Sequence, residues 1–194
     1  MGKKHRIKLW LAGGLVLLLA ILTAAVYHTS YPVEADGSNL EMCIAAIYNR
    51  GSNTVSSPVI KIYDSVTLGN RSYVLIEPGE DLGSVVLESG ATGRDRIDRL
   101  SYGGGNFRNG IIEREGKTYL LHGGRNTGAA IADMTFTLNG FTGQLEIPQK
   151  AQFLVCMEID SPVEDAHLDL ERIHFFNAQG QEITEQYDLS GGGF

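Results

Sequence analysis

Two glycine-rich turns carry the residues whose types and spacing are best suited to binding a ligand. The first turn, 102–110, contains Asn106 and Arg108, and the second, 122–126, contains Arg125. Glycine lets backbone N–H groups approach an anion closely, and arginine offers bidentate donors to carboxylate or phosphate. If the sheet brings both turns to one edge, they form a site for an acidic ligand, with Gly104, Asn106, Arg108, Gly123 and Arg125 as candidate residues.

The charge pattern around these turns also allows a simpler interpretation. Residues 94–126 hold seven arginines and lysines and four acids, between two acidic stretches. In this interpretation, which the sequence favours, the arginines pair with acids of neighbouring strands and the glycines only form turns. Spacing alone does not decide whether the two turns meet.

Other signals for chemistry are weaker. The acidic loop 160–171 suggests calcium, but Pro162 and Asp165 occupy positions that an EF-hand reserves for a ligand and a glycine, so a charge-rich turn is the default interpretation. His167 and His174 are seven residues apart, which places them on opposite faces of a strand. The sequence has no HExxH motif, no pair of zinc-spaced Cys/His clusters, no G-x-S-x-G elbow and no P-loop. We therefore predict no metal and no cofactor, and a protein that is more plausibly a binding module than an enzyme.

The net charge argues against nucleic acid as a partner. Residues 28–194 contain 12 lysines and arginines against 23 aspartates and glutamates. Phosphate backbones are bound by an excess of cations, which this region lacks.

The amino terminus predicts a membrane anchor. A basic tail, residues 1–8, precedes an uncharged apolar run, residues 9–27, whose length of about 28 Å as a helix matches a bilayer core. Because the cations precede the run, the positive-inside rule leaves residues 1–8 in the cytoplasm and the rest of the chain outside. A cleaved signal peptide, with Thr23-Ala24-Ala25 as a tolerable cleavage site, and a buried core helix are the alternatives.

The remaining sequence predicts an α+β fold that is mainly antiparallel β. A tether over 28–37 leads to a short helix with a capping box at Ser38 and Glu41. About ten strands joined by short turns follow, in one or two packed sheets. We predict a helix plus antiparallel meander over 38–125, a small sandwich-like unit over 128–188 and a flexible tail over 189–194; one continuous sheet is the alternative. The strand segments are 59–67, 71–77, 82–88, 94–102, 110–114, 117–121, 131–138, 141–147, 152–159, 168–176 and 181–187.

The two cysteines leave two possibilities. Cys43 falls in the predicted helix and Cys156 in an apolar strand, so outside the cytoplasm they could form a disulfide. Two separately buried free thiols are the interpretation we favour.

The organisation as a whole is typical of single-pass bacterial membrane proteins with a small β-rich domain outside the cell membrane. The function we expect is a non-catalytic, membrane-anchored module that binds a protein or another ligand of the cell envelope. One alternative is an envelope enzyme acting on glycan through carboxylates such as Glu113 or Glu158. Another is a structural or assembly subunit of a membrane complex.

Overall fold

The computed structural model describes residues 3–50, 58–138, 140–159 and 168–194. Within these ranges the chain forms two α-helices and ten strands, and all strand pairs are antiparallel, which confirms the predicted α+β class. The helices are α1 (Lys3–Ser30) and α2 (Leu40–Tyr48). The strands are β1 (Ile60–Leu68), β2 (Arg71–Pro78), β3 (Leu82–Ser89), β4 (Asp95–Gly103), β5 (Phe107–Arg114), β6 (Lys117–Arg125), β7 (Asp133–Leu138), β8 (Phe141–Glu146), β9 (Gln152–Ile159) and β10 (His174–Phe176).

Helix α1 is long and apolar enough to cross a membrane. None of its apolar window, Ala12–Ser30, is buried in the protein.

The strands form three sheets that stack in layers. Sheet A has the order β1-β2-β3-β4, sheet B the order β5-β6-β9, and sheet C the order β10-β7-β8. Because side chains alternate across a strand, each inner sheet contributes to two hydrophobic cores. Helix α2 packs on the outer face of sheet A, sheets A and B share a second core, and sheets B and C share the third.

Sheet B joins the two segments that the sequence analysis separated near residue 125. Strand β6 precedes that point and β9 follows it, yet they pair over eight residues from Thr118↔Ile159 to Arg125↔Gln152. The pairing gives the two segments a common sheet, and the division into two units stays a prediction.

The last two predicted strands differ from the structure. Of residues 168–176, only His174–Phe176 form a strand, because the Asp169 carboxylate accepts a hydrogen bond from the Glu171 amide and caps a short 3₁₀ helix, Leu170–Arg172. Residues 181–187 contribute one bridge, Phe176↔Glu182, and a second 3₁₀ helix, Thr184–Gln186. Local capping therefore replaces extended pairing at residues 169–172, whereas no side chain among the described residues caps the helix Thr184–Gln186.

Helix α2 begins one residue later than the predicted capping box requires. Its N-cap residue is Asn39, not Ser38, and no side chain caps it. The side-chain amide of Asn39 instead fixes the preceding turn. Its oxygen accepts from the Glu34 N–H at 2.8 Å, and its nitrogen donates to the Pro32 carbonyl at 2.9 Å. Leu40 and Ile44 are buried against sheet A.

Of residues 28–37, which we predicted to be a tether, 28–30 are the end of α1 and the residues that follow are held against sheet A. Val33 is fully buried and bridges Asp95, and Arg94 donates to the carbonyls of Tyr31 and Pro32 at 2.8 and 2.9 Å. The Tyr27 hydroxyl accepts from Thr92. The end of α1 is thus clamped to the turn between β3 and β4.

Both cysteines are separate free thiols, as we favoured, but they are partly buried and not fully buried. Cys43 packs with the α2 core and Cys156 with the core between sheets A and B, so sheet A separates them.

Candidate functional site along strand β5

The segments 102–110 and 122–126, which we predicted to be turns, are largely strand, because β5 begins at Phe107 and β6 runs to Arg125. They meet because β5 and β6 pair with Arg108 opposite Gly123. The Arg125 amide also donates to the Asn106 carbonyl at 2.9 Å. The sequence-predicted residues therefore lie at one end of sheet B. Gly104 is in the turn that leads into β5, and Gly123 packs against Leu154 of β9.

The Arg108 guanidinium is directed into the protein. The residue is 1% exposed, and its terminal nitrogens donate to the carbonyls of Gly103 (2.8 Å), Gly104 (3.3 Å), Phe107 (2.7 Å) and Leu82. Burial lowers the pKa of Arg108 from its usual range. Carbonyl dipoles take the place of a counter-ion, and the side chain ties β5 to the start of β3.

The Arg125 side chain ties the same end of sheet B to the turn between β2 and β3. It donates to the carboxylate of Glu77 at 3.2 Å and to the Glu80 carbonyl. Lys61 also bonds Glu77, at 2.7 Å. Burial alone would raise the pKa of Glu77, but the hydrogen bonds from Lys61 and Arg125 outweigh it and lower the pKa. Arg125 thus pairs with an acid of a neighbouring strand, as the simpler interpretation expects, whereas Arg108 bonds to backbone carbonyls and to no acid among the described residues. Ligand binding by the five predicted residues stays a prediction.

The outer edge of β5 receives an extended segment of this chain. The Asn109 N–H donates to the Gly192 carbonyl at 3.3 Å, and the Phe194 N–H donates to the Asn109 carbonyl at 3.1 Å. These bonds form a parallel bridge between Asn109 and Gly193. Residues 191–194 thus extend sheet B beyond β5, although we predicted a flexible tail over 189–194.

The side chain of Phe194 anchors this segment. It is 5% exposed and lies in the core between sheets A and B, with an edge-to-face contact to Tyr73 at 6.3 Å between ring centroids. Sheet A also holds the main chain, since Arg99 donates to the Phe194 carbonyl at 2.7 Å and the Ser84 hydroxyl donates to the Gly193 carbonyl at 3.3 Å. We call the space between the β5 edge and strands β3 and β4 the β5 groove.

The small size of Gly191 lets the chain enter the β5 groove. A Cβ at this position would overlap the Phe107 carbonyl group and lie 2.8 Å from its carbon, closer than real Cβ atoms come to a backbone. It would also lie 3.1 Å from Nη1 of Arg108, which is a tight contact. A Cβ at Gly192 would be 3.5 Å from the Ser101 hydroxyl, which is an ordinary contact. The groove therefore requires glycine at one position and tolerates a small side chain at the next.

Two cavities open beside the segment. One, of about 310 Å³, adjoins Phe194 and is lined by charged residues of both signs. The other, of about 360 Å³, adjoins Gly191–Gly193, Leu168 and Leu170. The segment is therefore not enclosed by the fold. The charged residues of the first cavity are Arg71, Asp98, Arg99, Glu113 and Arg114.

Asn109 also links the β5 groove to a buried histidine. Its side-chain oxygen lies 2.6 Å from Nδ1 of His122, which is fully buried and stacked on Phe107 at 5.2 Å between centroids. Nε2 of His122 has no hydrogen-bond partner among the described residues. Burial lowers the pKa of His122 to about 3, so the ring is neutral at physiological pH.

The carboxylates named for a glycan-cleaving enzyme do not face one cleft. In the strand register Glu113 lies opposite Thr118, whereas Glu158 lies opposite the next residue of β6, Tyr119. Adjacent residues of a strand point to opposite faces, so the two lie on opposite sides of sheet B. Glu158 forms an ion pair with Lys117 at 2.7 Å.

The residues named for calcium, Pro162 and Asp165, and His167 lie outside the described residues. His174 lies within them and pairs with Glu182 at 2.7 Å. In the described part of the chain, no group of three His, Cys, Asp or Glu side chains is arranged to hold a metal ion.

Sequence reasoning missed Ser84, Arg99 and Asn109, which form the β5 groove, and Phe194, which fills it. The available signal was the glycine run 191–193 followed by an aromatic residue. Glycine in an extended segment marks a close approach of another backbone as well as mobility, and the aromatic residue favours the first explanation.

Comparison with known proteins finds no matching family model, no matching curated protein and no matching solved structure. The function is therefore argued from the site alone.

Proposed function

We propose that this chain is a non-catalytic, membrane-anchored recognition module. Its β-rich domain lies outside the cytoplasm, and it binds a polypeptide segment in the β5 groove. The single observation that carries the proposal is the way in which the groove holds residues 191–194. Main-chain hydrogen bonds extend sheet B, and one aromatic side chain fills a pocket.

This arrangement has the two parts of peptide recognition by strand addition. Main-chain bonds to a sheet edge supply affinity for any extended backbone, and a pocket for a side chain supplies specificity. Here the edge is Asn109 of β5, and the pocket lies in the apolar core between sheets A and B, where the Phe194 ring meets Tyr73. Fully burying a phenylalanine contributes about 1.5–3 kcal/mol, which is sufficient for selectivity.

The anchored topology is supported by α1. The cations that precede the apolar run favour a cytoplasmic amino terminus. The contacts of Arg94 and Val33 then hold the domain directly at the end of the helix, so the recognition surface stays close to the membrane.

One experiment tests both parts of the proposal. Bacterial spheroplasts display a chain that ends at Leu189, which leaves the β5 groove open. A fluorescent peptide with the sequence of residues 187–194 is then added outside. We expect saturable binding to intact spheroplasts and none for the peptide in which alanine replaces the phenylalanine.

Two results would contradict the proposal in different ways. Binding only after the membrane is opened would mean that the orientation is wrong. Equal retention of the phenylalanine and alanine peptides would mean that the pocket does not select its ligand.

A further inference from the structure

The β5 groove is filled by the chain itself, and the contacts that fill it are few. Among the described residues, four hydrogen bonds and one buried side chain hold residues 191–194. Ser190, Gly192 and Gly193 are exposed, and a cavity adjoins the segment on each side. Within the part of the chain that the structure describes, its only sheet pairing is one isolated bridge, so the segment can leave by withdrawing the Phe194 ring from the core between sheets A and B without separating any of the ten strands.

We propose that residues 190–194 occupy the β5 groove in cis and compete there with a partner's segment of the same chemistry. The proposal rests on the proposed function and names the partner class and its regulation. The partner's segment is extended, has glycine at the position of Gly191, and places an aromatic side chain where Phe194 lies.

The requirement for glycine follows from the backbone around the entrance. Gly191 passes between the Phe107 carbonyl and the Arg108 guanidinium, where a Cβ would overlap the backbone. Arg108 itself is fixed by its carbonyl partners, so it does not move aside. A partner therefore needs glycine there, while its next residue is free to be any small one.

The requirement for an aromatic residue follows from the pocket. The Phe194 ring packs in the apolar core between the sheets and meets the Tyr73 ring edge to face. The cavity of about 310 Å³ beside it leaves room for further partner atoms, and charged residues of both signs line it.

Self-occupation lowers the apparent affinity for a partner. A partner can bind only the fraction of molecules whose groove is open, so its apparent Kd rises by the reciprocal of that fraction. Since a buried phenylalanine holds the segment, we expect a closed-to-open ratio of about 10 to 100. Any event that detaches residues 190–194 would activate binding by that factor.

The test compares two glycine substitutions in the full chain, held in lipid nanodiscs. Gly191→Ala places a Cβ against the Phe107 backbone and expels the segment, whereas Gly192→Ala places it in ordinary contact and is the matched control. The probe is the fluorescent peptide with the sequence of residues 187–194, and binding is followed by anisotropy. We expect Gly191→Ala to bind the peptide 10 to 100 times more tightly than wild type, and Gly192→Ala to bind like wild type.

The outcomes separate this proposal from the proposed function. Equal, saturable binding by wild type and Gly191→Ala would overturn cis competition and leave peptide recognition standing. No binding by either would overturn both. If Gly191→Ala loses its β-sheet circular dichroism, Phe194→Ala takes its place, because it removes the anchor without a clash. The same tightening is then expected, and its absence would overturn the proposal.

Discussion

Replacing Arg108 with methionine should destabilise the fold strongly, because the guanidinium satisfies carbonyl groups on two sheets. Methionine keeps most of the apolar stem of Arg108 and removes its donors to Leu82, Gly103, Gly104 and Phe107. Each buried carbonyl left without a partner costs about 1–3 kcal/mol. Gly103 is the last residue of β4 and Gly104 lies in the turn that follows, where water can replace the guanidinium. The carbonyls of Leu82 and Phe107 therefore determine the loss.

The expected loss in the free energy of unfolding is about 2–4 kcal/mol. The two buried carbonyls that lose their donor set this range. The loss stays below the sum of all four hydrogen bonds, because the substitution also removes the cost of burying a charged group. Urea denaturation of the full chain in detergent, followed by circular dichroism, measures it. With a slope of about 2 kcal/mol per molar urea, the midpoint should fall by about 1–2 M.

Arg71→Met is the matched control for this measurement. Arg71 is partly exposed, and its contacts to Asp98 and Glu88 are 3.4 and 3.8 Å long. Partly exposed ion pairs contribute about 0–1 kcal/mol, so the control should change the midpoint little. If Arg108→Met were as stable as this control, Arg108 would not be a structural donor and the ligand-binding interpretation would regain support.

Three further predictions follow from the same contacts. His122 has a folded pKa of about 3, below its unfolded value of about 6.5. The contribution of His122 to the free energy of unfolding should therefore be complete above pH 6.5 and fall by up to about 1.4 kcal/mol per pH unit below it. Urea titrations between pH 6.5 and 5 check this, and in His122→Leu the free energy of unfolding should lose most of this pH dependence. Phe194→Ala should lower the free energy of unfolding by about 1.4–2.7 kcal/mol by the same assay, which is the free energy of a closed-to-open ratio of 10 to 100. A change below about 0.5 kcal/mol would mean that the ring is not packed in the core. Arg94→Ala should make residues 28–37 several times more sensitive to protease, since it removes the donors to Tyr31 and Pro32. An unchanged cleavage rate would mean that Arg94 does not hold the end of α1 to the turn between β3 and β4.

Most of the fold could be predicted from the sequence because its signals are local. Turn residues such as Gly69-Asn70 and Pro78-Gly79 separate segments of β-forming residues, and the structure has strands on both sides of each turn. The predictions were wrong where a side chain changes the backbone locally. Asp169 caps a 3₁₀ helix in a segment that reads as a strand, and Asn39 bonds to the preceding turn in place of a capping box.

The site could be predicted only in part, because its function depends on tertiary contacts. The sequence predicts Arg108 and Arg125 as candidate residues of one site, and the register of β5 with β6 does place them at the same end of sheet B. Spacing could not reveal that both guanidinium groups reach across to sheet A. Nor could it reveal that the free edge of β5 lies where a glycine run can pass, since that depends on how two sheets stack.

The most direct test of the central claim is hydrogen exchange at the Asn109 amide, followed by NMR. In wild type this amide donates to the Gly192 carbonyl, so it should be protected. In Gly191→Ala it should exchange faster, and saturating peptide with the sequence of residues 187–194 should restore its protection. If the amide stays unprotected while the peptide is bound, the partner does not add to the edge of β5, and the account of this chain as a strand-addition module is wrong.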